Sequence, residues 1–75
     1  MRRKVIKVKR LFFTDQYGNV SIGSMEYDKH LTDANILQGY HELGKTAWFG
    51  GQLWLLVNGA PAYHITVEVC YIYRG

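Results

Sequence analysis

The residues of this 75-residue chain with the means to do chemistry are His30, His41 and His64, the acids Glu42 and Glu68, and the lone cysteine Cys70. Zinc ligands come in closely spaced pairs, whereas these histidines are scattered over a strand exit, a helix and a strand, with one cysteine to join them. No metal site is expected. His41-Glu42 with His64 and Glu68 has the composition of the acid-base pair of a small ribonuclease, but such a constellation needs a pocket and a third group to orient the base. A chain this short spends most of its residues on its core, so these side chains read as solvated polar groups and the protein as no enzyme. Cys70 has no basic neighbour in sequence to lower its pKa and reads as a small packing residue. Gly18, Gly23, Gly39, Gly44, Gly50, Gly51 and Gly59 fit neither a phosphate loop nor a dinucleotide fingerprint, and no cofactor is expected.

Binding has more candidates. Arg2, Arg3, Lys4, Lys7, Lys9 and Arg10 put six of the nine basic residues into the first ten positions, and the rest of the chain carries all six acids. The formal charge of +3 hides that asymmetry. A localised basic patch is an electrostatic footprint for nucleic acid or an acidic protein surface, or else a solvated edge whose lysines discourage strand-to-strand aggregation. Trp48 and Phe49, beside Gly50 and Gly51, read as a loop that either plugs the core edge or binds a partner. Tyr63, Tyr71 and Tyr73 share the phase of Ile65 and Val67 and are expected in the core, not on an open RNA-binding face.

The elements that hold these residues follow from apolar periodicity. From Tyr63 to Tyr73 every odd position is β-branched or aromatic, which is a strand signal, and His64, Thr66, Glu68, Cys70 and Arg74 make its other face. Val5–Thr14 is the first strand, with Ile6 and Val8 in one phase and Leu11 and Phe13 in the other. Val20–Asp28 slips in the same way around Gly23. A hairpin centred on Tyr17, within the turn-forming Asp15-Gln16-Tyr17-Gly18-Asn19, puts Arg10 opposite Ser24, so both slips fall on one rung and predict a bulge or bend.

A helix follows, capped by Thr32 and closed by Gly44, with Ile36, Leu37, Tyr40 and Leu43 on its buried face and Gly39 permitting close approach to the sheet. Gln52–Val57 is the third strand, joined by a turn at Asn58-Gly59-Ala60-Pro61 to the last. Pairing Val57 with Ala62 sends Trp54 and Leu56 to the core and leaves Leu53, Leu55 and Val57 on the opposite face. A one-residue slip exchanges the two sets.

The order is ββαββ: a single small α+β domain over residues 1–75, two layers, with an antiparallel four-stranded sheet in the order 2-1-4-3 and one helix packed on one face. A small strongly bent barrel is the alternative. The apolar run Leu53–Val57 is far shorter than the roughly 20 residues that span a bilayer, so no membrane association is expected. One cysteine and the lack of a signal-like segment point to an intracellular, cytoplasmic chain.

The function expected is that of a non-catalytic protein-interaction module. Chains of this size class include virus- or mobile-element-encoded inhibitors that occupy a site on a larger host machine, and the basic terminus suits a nucleic-acid-processing target. The alternative is a small nucleic-acid-binding protein using its basic N-terminal strand. A protein partner or a homodimer is expected to cover the leftover apolar strand face, with Leu53 and Leu55 in the interface.

Overall fold

The computed structural model describes residues 4–74. Its elements in chain order are β1 (Lys4–Asp15), β2 (Val20–Ile22), β3 (Tyr27–Asp28), α1 (Asp33–His41), β4 (Thr46–Phe49), β5 (Gln52–Val57) and β6 (Ala60–Arg74). The two long strands form the spine: β1 and β6 pair antiparallel without a break from Lys4↔Arg74 to Asp15↔Tyr63. β5 lies on the far side of β6 and β4 outside β5, while β2 and β3 share the other edge of β1. The result is an α+β domain with one helix on an antiparallel sheet of six strands. The expected order of the four main strands holds within it. The sheet is open, ending at β2 and β4, instead of closing into a barrel.

Two local features turn the expected four strands into six. The first hairpin is centred on Tyr17, with Phe12↔Ile22 and Thr14↔Val20 as partners. Beyond Ile22 the chain leaves the ladder and returns two residues out of step, with Val8↔Asp28 and Lys9↔Tyr27. Gly23 marks the departure: its N–H donates to the Leu11 carbonyl at 2.7 Å. A Cβ there would sit 3.2 Å from that oxygen and 3.3 Å from a Phe13 ring carbon, so a side chain would force the Leu11 carbonyl or the Phe13 ring to give way by a few tenths of an ångström. The bend expected near Arg10 and Gly23 is therefore a break in the outer strand alone. β1 runs straight through, and its change of phase means that its apolar residues change face.

The second feature is β4. Thr46–Phe49, expected as a loop, pairs with β5 from Thr46↔Leu55 to Phe49↔Gln52. Gly50 and Gly51 close this hairpin with φ of 58° and 78°. Positive φ at both central residues is what a type I′ turn requires, and it matches the twist of the flanking strands.

The β5–β6 hairpin corrects the expected register. Its turn is two residues shorter than expected, with Val57↔Ala60 closed by Asn58 and Gly59, both at positive φ. A bulge between Leu55 and Leu56 then shifts the ladder by one, giving Leu55↔Tyr63, Trp54↔His64 and Leu53↔Ile65. A shift of one residue inverts the faces. Leu53 and Leu55 therefore lie under the helix and Trp54 lies opposite, the reverse of the expected arrangement. Pro61 is accommodated because it lies beyond the last β1 partner, Tyr63, where β6 is flanked by β5 alone.

The helix begins where its sequence says it should: the Thr32 hydroxyl accepts the Asn35 N–H at 3.1 Å. It ends at His41, short of Leu43, which is exposed instead of joining the buried face. Gly39 points away from the sheet, with nothing within 4 Å of the position a Cβ would take. Ile36 seals the core with Leu11, Leu53 and Ile65, and Phe13, Tyr27, Leu37, Tyr40, Leu55 and Val67 pack around them. Phe13 and Tyr40 meet edge to face, with centroids 5.8 Å apart.

Length decides what this core can cover. Nine helical residues extend about 13 Å, whereas the 15 residues of β6 extend about 50 Å. The helix covers the middle of one face and nothing else. Tyr71 and Tyr73, expected in the core by phase, lie past its reach and are 69% and 71% exposed.

Candidate interaction surface

The register places a strip of apolar side chains, interrupted by Thr14, His64, Thr66 and Gln52, on the face opposite α1. Across the strands, Ile22 pairs with Phe12 and Phe12 with Thr66, while on the other side Phe49 pairs with Gln52. The neighbouring row runs Val20, Thr14, His64, Trp54 and Ala47. The Trp54 and His64 rings stack at 5.1 Å with a 30° tilt near the middle of this face. Val20 and Ile22 are 56% exposed and Phe49 is 49% exposed, with Phe12 and Trp54 half-buried between them.

One end of the strip is bounded by charge. Glu26 joins Arg10 at 3.1 Å and also Arg74. Arg10 and Arg74 share the open face, and between them along the spine lie Ile6 and the buried Val8. These arginines are committed to holding the Glu26 segment against the sheet.

The expected basic patch is divided in the same manner. Arg2 and Arg3 lie outside the described residues. Lys4 and Lys7 are exposed on the end of the spine. Lys9 donates to the Leu31 carbonyl at 2.8 Å and to Asp33 Oδ1 at 2.9 Å, tying β1 to the start of the helix. Arg10 is taken by Glu26. Two of the six candidates are thus internal fasteners.

Trp48 and Phe49 are separated as well. Being consecutive on a strand, they face opposite ways. Trp48 pairs with Leu53 on the helix side and meets the His41 ring edge-on at 5.9 Å, while Phe49 joins the open strip. Leu53 is fully buried, and Leu55 packs against the core. Neither has free surface on the open face, since the bulge turns both inward.

Sequence reasoning missed Phe12, Val20, Ile22 and Trp54 as surface residues. The run Leu11-Phe12-Phe13 carried a signal for the first, because three consecutive large apolar residues in a strand must serve both faces. Val20 and Ile22 share the phase of Phe12 in the hairpin register that the turn already fixed.

The two histidines among the acid-base candidates are held apart. His41 Nδ1 lies 2.7 Å from the Thr46 hydroxyl on the helix side, whereas His64 stacks on Trp54 on the other face. Glu68 shares the His64 face but stands four residues along the strand, about 13 Å away. A concavity of about 220 Å³ beside the core is lined by Leu11, Phe13, Gly23, Ser24, Met25 and Tyr40, without histidine or carboxylate, while another of about 340 Å³ is bordered by Asp33, His64 and Glu68. Among the described residues no group of three histidine, cysteine or acidic side chains is arranged to hold a metal ion, and no helix is long and apolar enough to cross a membrane. No family model, curated protein or solved structure matches the chain.

Proposed function

We propose that this chain is a non-catalytic protein-interaction module that docks on a larger protein through the open face of its sheet. The observation that carries the reading is the uncovered strip of Ile22, Phe12, Trp54 and Phe49, which the fold presents on a rigid sheet and does not use for its own core. Aromatic residues on a firm backbone offer large contact area at little entropic cost. The placement of His41 and His64 on opposite faces of the sheet favours binding over catalysis by that pair.

The finer reading is that of a virus- or mobile-element-encoded inhibitor, acting in the cytoplasm on a host nucleic-acid-processing machine. Its size class supports that reading, and so does Lys4, exposed on the open face at the end of the spine, which would meet nucleic acid held by such a machine when that face docks.

A photo-crosslinking amino acid at Ile22 or Phe49 in the full chain, exposed to lysate of the native host after nuclease treatment, tests this. Both positions should give one shared adduct, and the same group at Leu43 on the helix side should not. An adduct at twice the chain mass would assign the face to a homodimer. Crosslinking equally spread over all three positions, or lost from Ile22 and Phe49 on nuclease treatment, would overturn the reading.

A further inference from the structure

The far end of the spine is a two-stranded arm. From Lys4↔Arg74 to Lys7↔Tyr71 the two strands pair only with each other, since β3 begins its pairing at Val8 and β5 reaches β6 no further than Ile65. On the helix-side face of this arm, past the end of the helix, Val5 pairs with Tyr73 and Lys7 with Tyr71. Both tyrosines are more than two-thirds exposed. Their Cα atoms stand two residues apart, about 6.8 Å, along a strand. Lys7 is exposed on the same face, directly across from Tyr71, whereas Lys4 is exposed on the other face opposite Arg74, and neither strand of the arm carries an acidic residue. Arg2 and Arg3 precede the arm directly in sequence.

We propose that this arm binds single-stranded nucleic acid, with bases stacked on Tyr71 and Tyr73 and the intervening phosphate held by Lys7. The combination of a basic track with exposed aromatic rings is what sequence-tolerant single-strand binding uses, because every base has a face to stack and every linkage a charge to neutralise. Tyrosines exposed to this degree contribute little to the core, so the fold does not account for them. Duplex DNA is disfavoured as the ligand, since its bases are already stacked and would leave the tyrosines idle. The site is independent of the open face: it lies on the other side of the sheet and at its end.

Fluorescence anisotropy of the full chain with a labelled 12-nucleotide oligothymidylate, at about 50 mM salt, tests the proposal. The wild type should bind it more tightly than a duplex of the same length. Replacing both tyrosines (Tyr71→Ala with Tyr73→Ala) should weaken binding about tenfold or more, while the pair Tyr71→Phe with Tyr73→Phe should bind like the wild type, because stacking needs the ring and not the hydroxyl. Lys7→Gln should lower the log-log salt slope by about 0.7, the value for one phosphate on a single strand. The exposed positions of all three side chains mean that the variants should melt as the wild type does. Absence of binding, equal affinity of the alanine and phenylalanine pairs, or preference for the duplex would overturn the proposal. So would a dimer, seen by sedimentation, that the alanine pair dissolves.

Discussion

Asp15 shows how one side chain can fix a register. Its carboxylate accepts the backbone N–H groups of Tyr17 and Asn19, each at 2.9 Å, and the Asn19 side-chain amide at 3.1 Å. These bonds, that from the Asn19 N–H foremost, hold its pKa below the ordinary carboxylate value of 3.8, against a smaller opposing effect of desolvation. A depressed folded-state pKa means stability that is present above the unfolded value and is lost as the pH falls through the folded one. Asp15→Asn should therefore lower the melting temperature at neutral pH, and the gap to the wild type should close below about pH 4. A gap that stays constant from pH 7 to pH 3 would show that the turn does not depend on the charge. The turn-forming role of this stretch was legible in the sequence, because such residues bond their own backbone. The duties of Lys9 and Arg10 were not. Each depends on a partner more than 15 residues away, at Asp33 and Glu26, and no local pattern encodes such a meeting.

At the scale of elements, α1 carries a weakness that its surroundings do not repair. Gly39 lies in its interior, exposed, with open space where a side chain would go. The close approach to the sheet that would justify a glycine there does not occur. Gly39→Ala should raise stability by about 0.5 to 1 kcal/mol, read as a higher denaturant midpoint with an unchanged slope. No gain would mean that Gly39 has a role outside the folded monomer. The start of the helix was legible from Thr32, but its end was not, since Leu43 continues the apolar spacing although the chain has already turned away. The strands divide similarly. β1, β5 and β6 were visible in their alternation, and β4 was hidden because four residues, Thr46-Ala47-Trp48-Phe49, show too little periodicity to distinguish a strand from a loop. The bulge at Leu55 was invisible to pattern. Both faces of β5 are apolar, so either register satisfied the sequence, and only the three-dimensional fit of Leu53 between Ile36 and Ile65 selects one.

For the whole molecule, the controlling fact is that one short helix serves a long sheet. The chain extends 48 by 25 by 18 Å, and its core occupies only the middle of one face. What lies beyond the helix was legible in composition, as a surplus of apolar and aromatic residues, but its location was not. It depends on the bulge and on the helix length together. The measurement that tests this account most directly compares Leu53→Lys with Trp54→Lys by thermal melting and by crosslinking from Phe49. Lysine at Leu53 buries a charge in the core and should abolish cooperative unfolding. Lysine at Trp54 forfeits the stack on His64, about 1 kcal/mol, and some burial of a half-buried ring, but places no charge in the core, so that the domain should still melt cooperatively, at a lower temperature, while the Phe49 adduct disappears. If Trp54→Lys unfolds the chain and Leu53→Lys does not, the faces are assigned the wrong way round. If Trp54→Lys stays folded and keeps the adduct, the open face is not the docking surface.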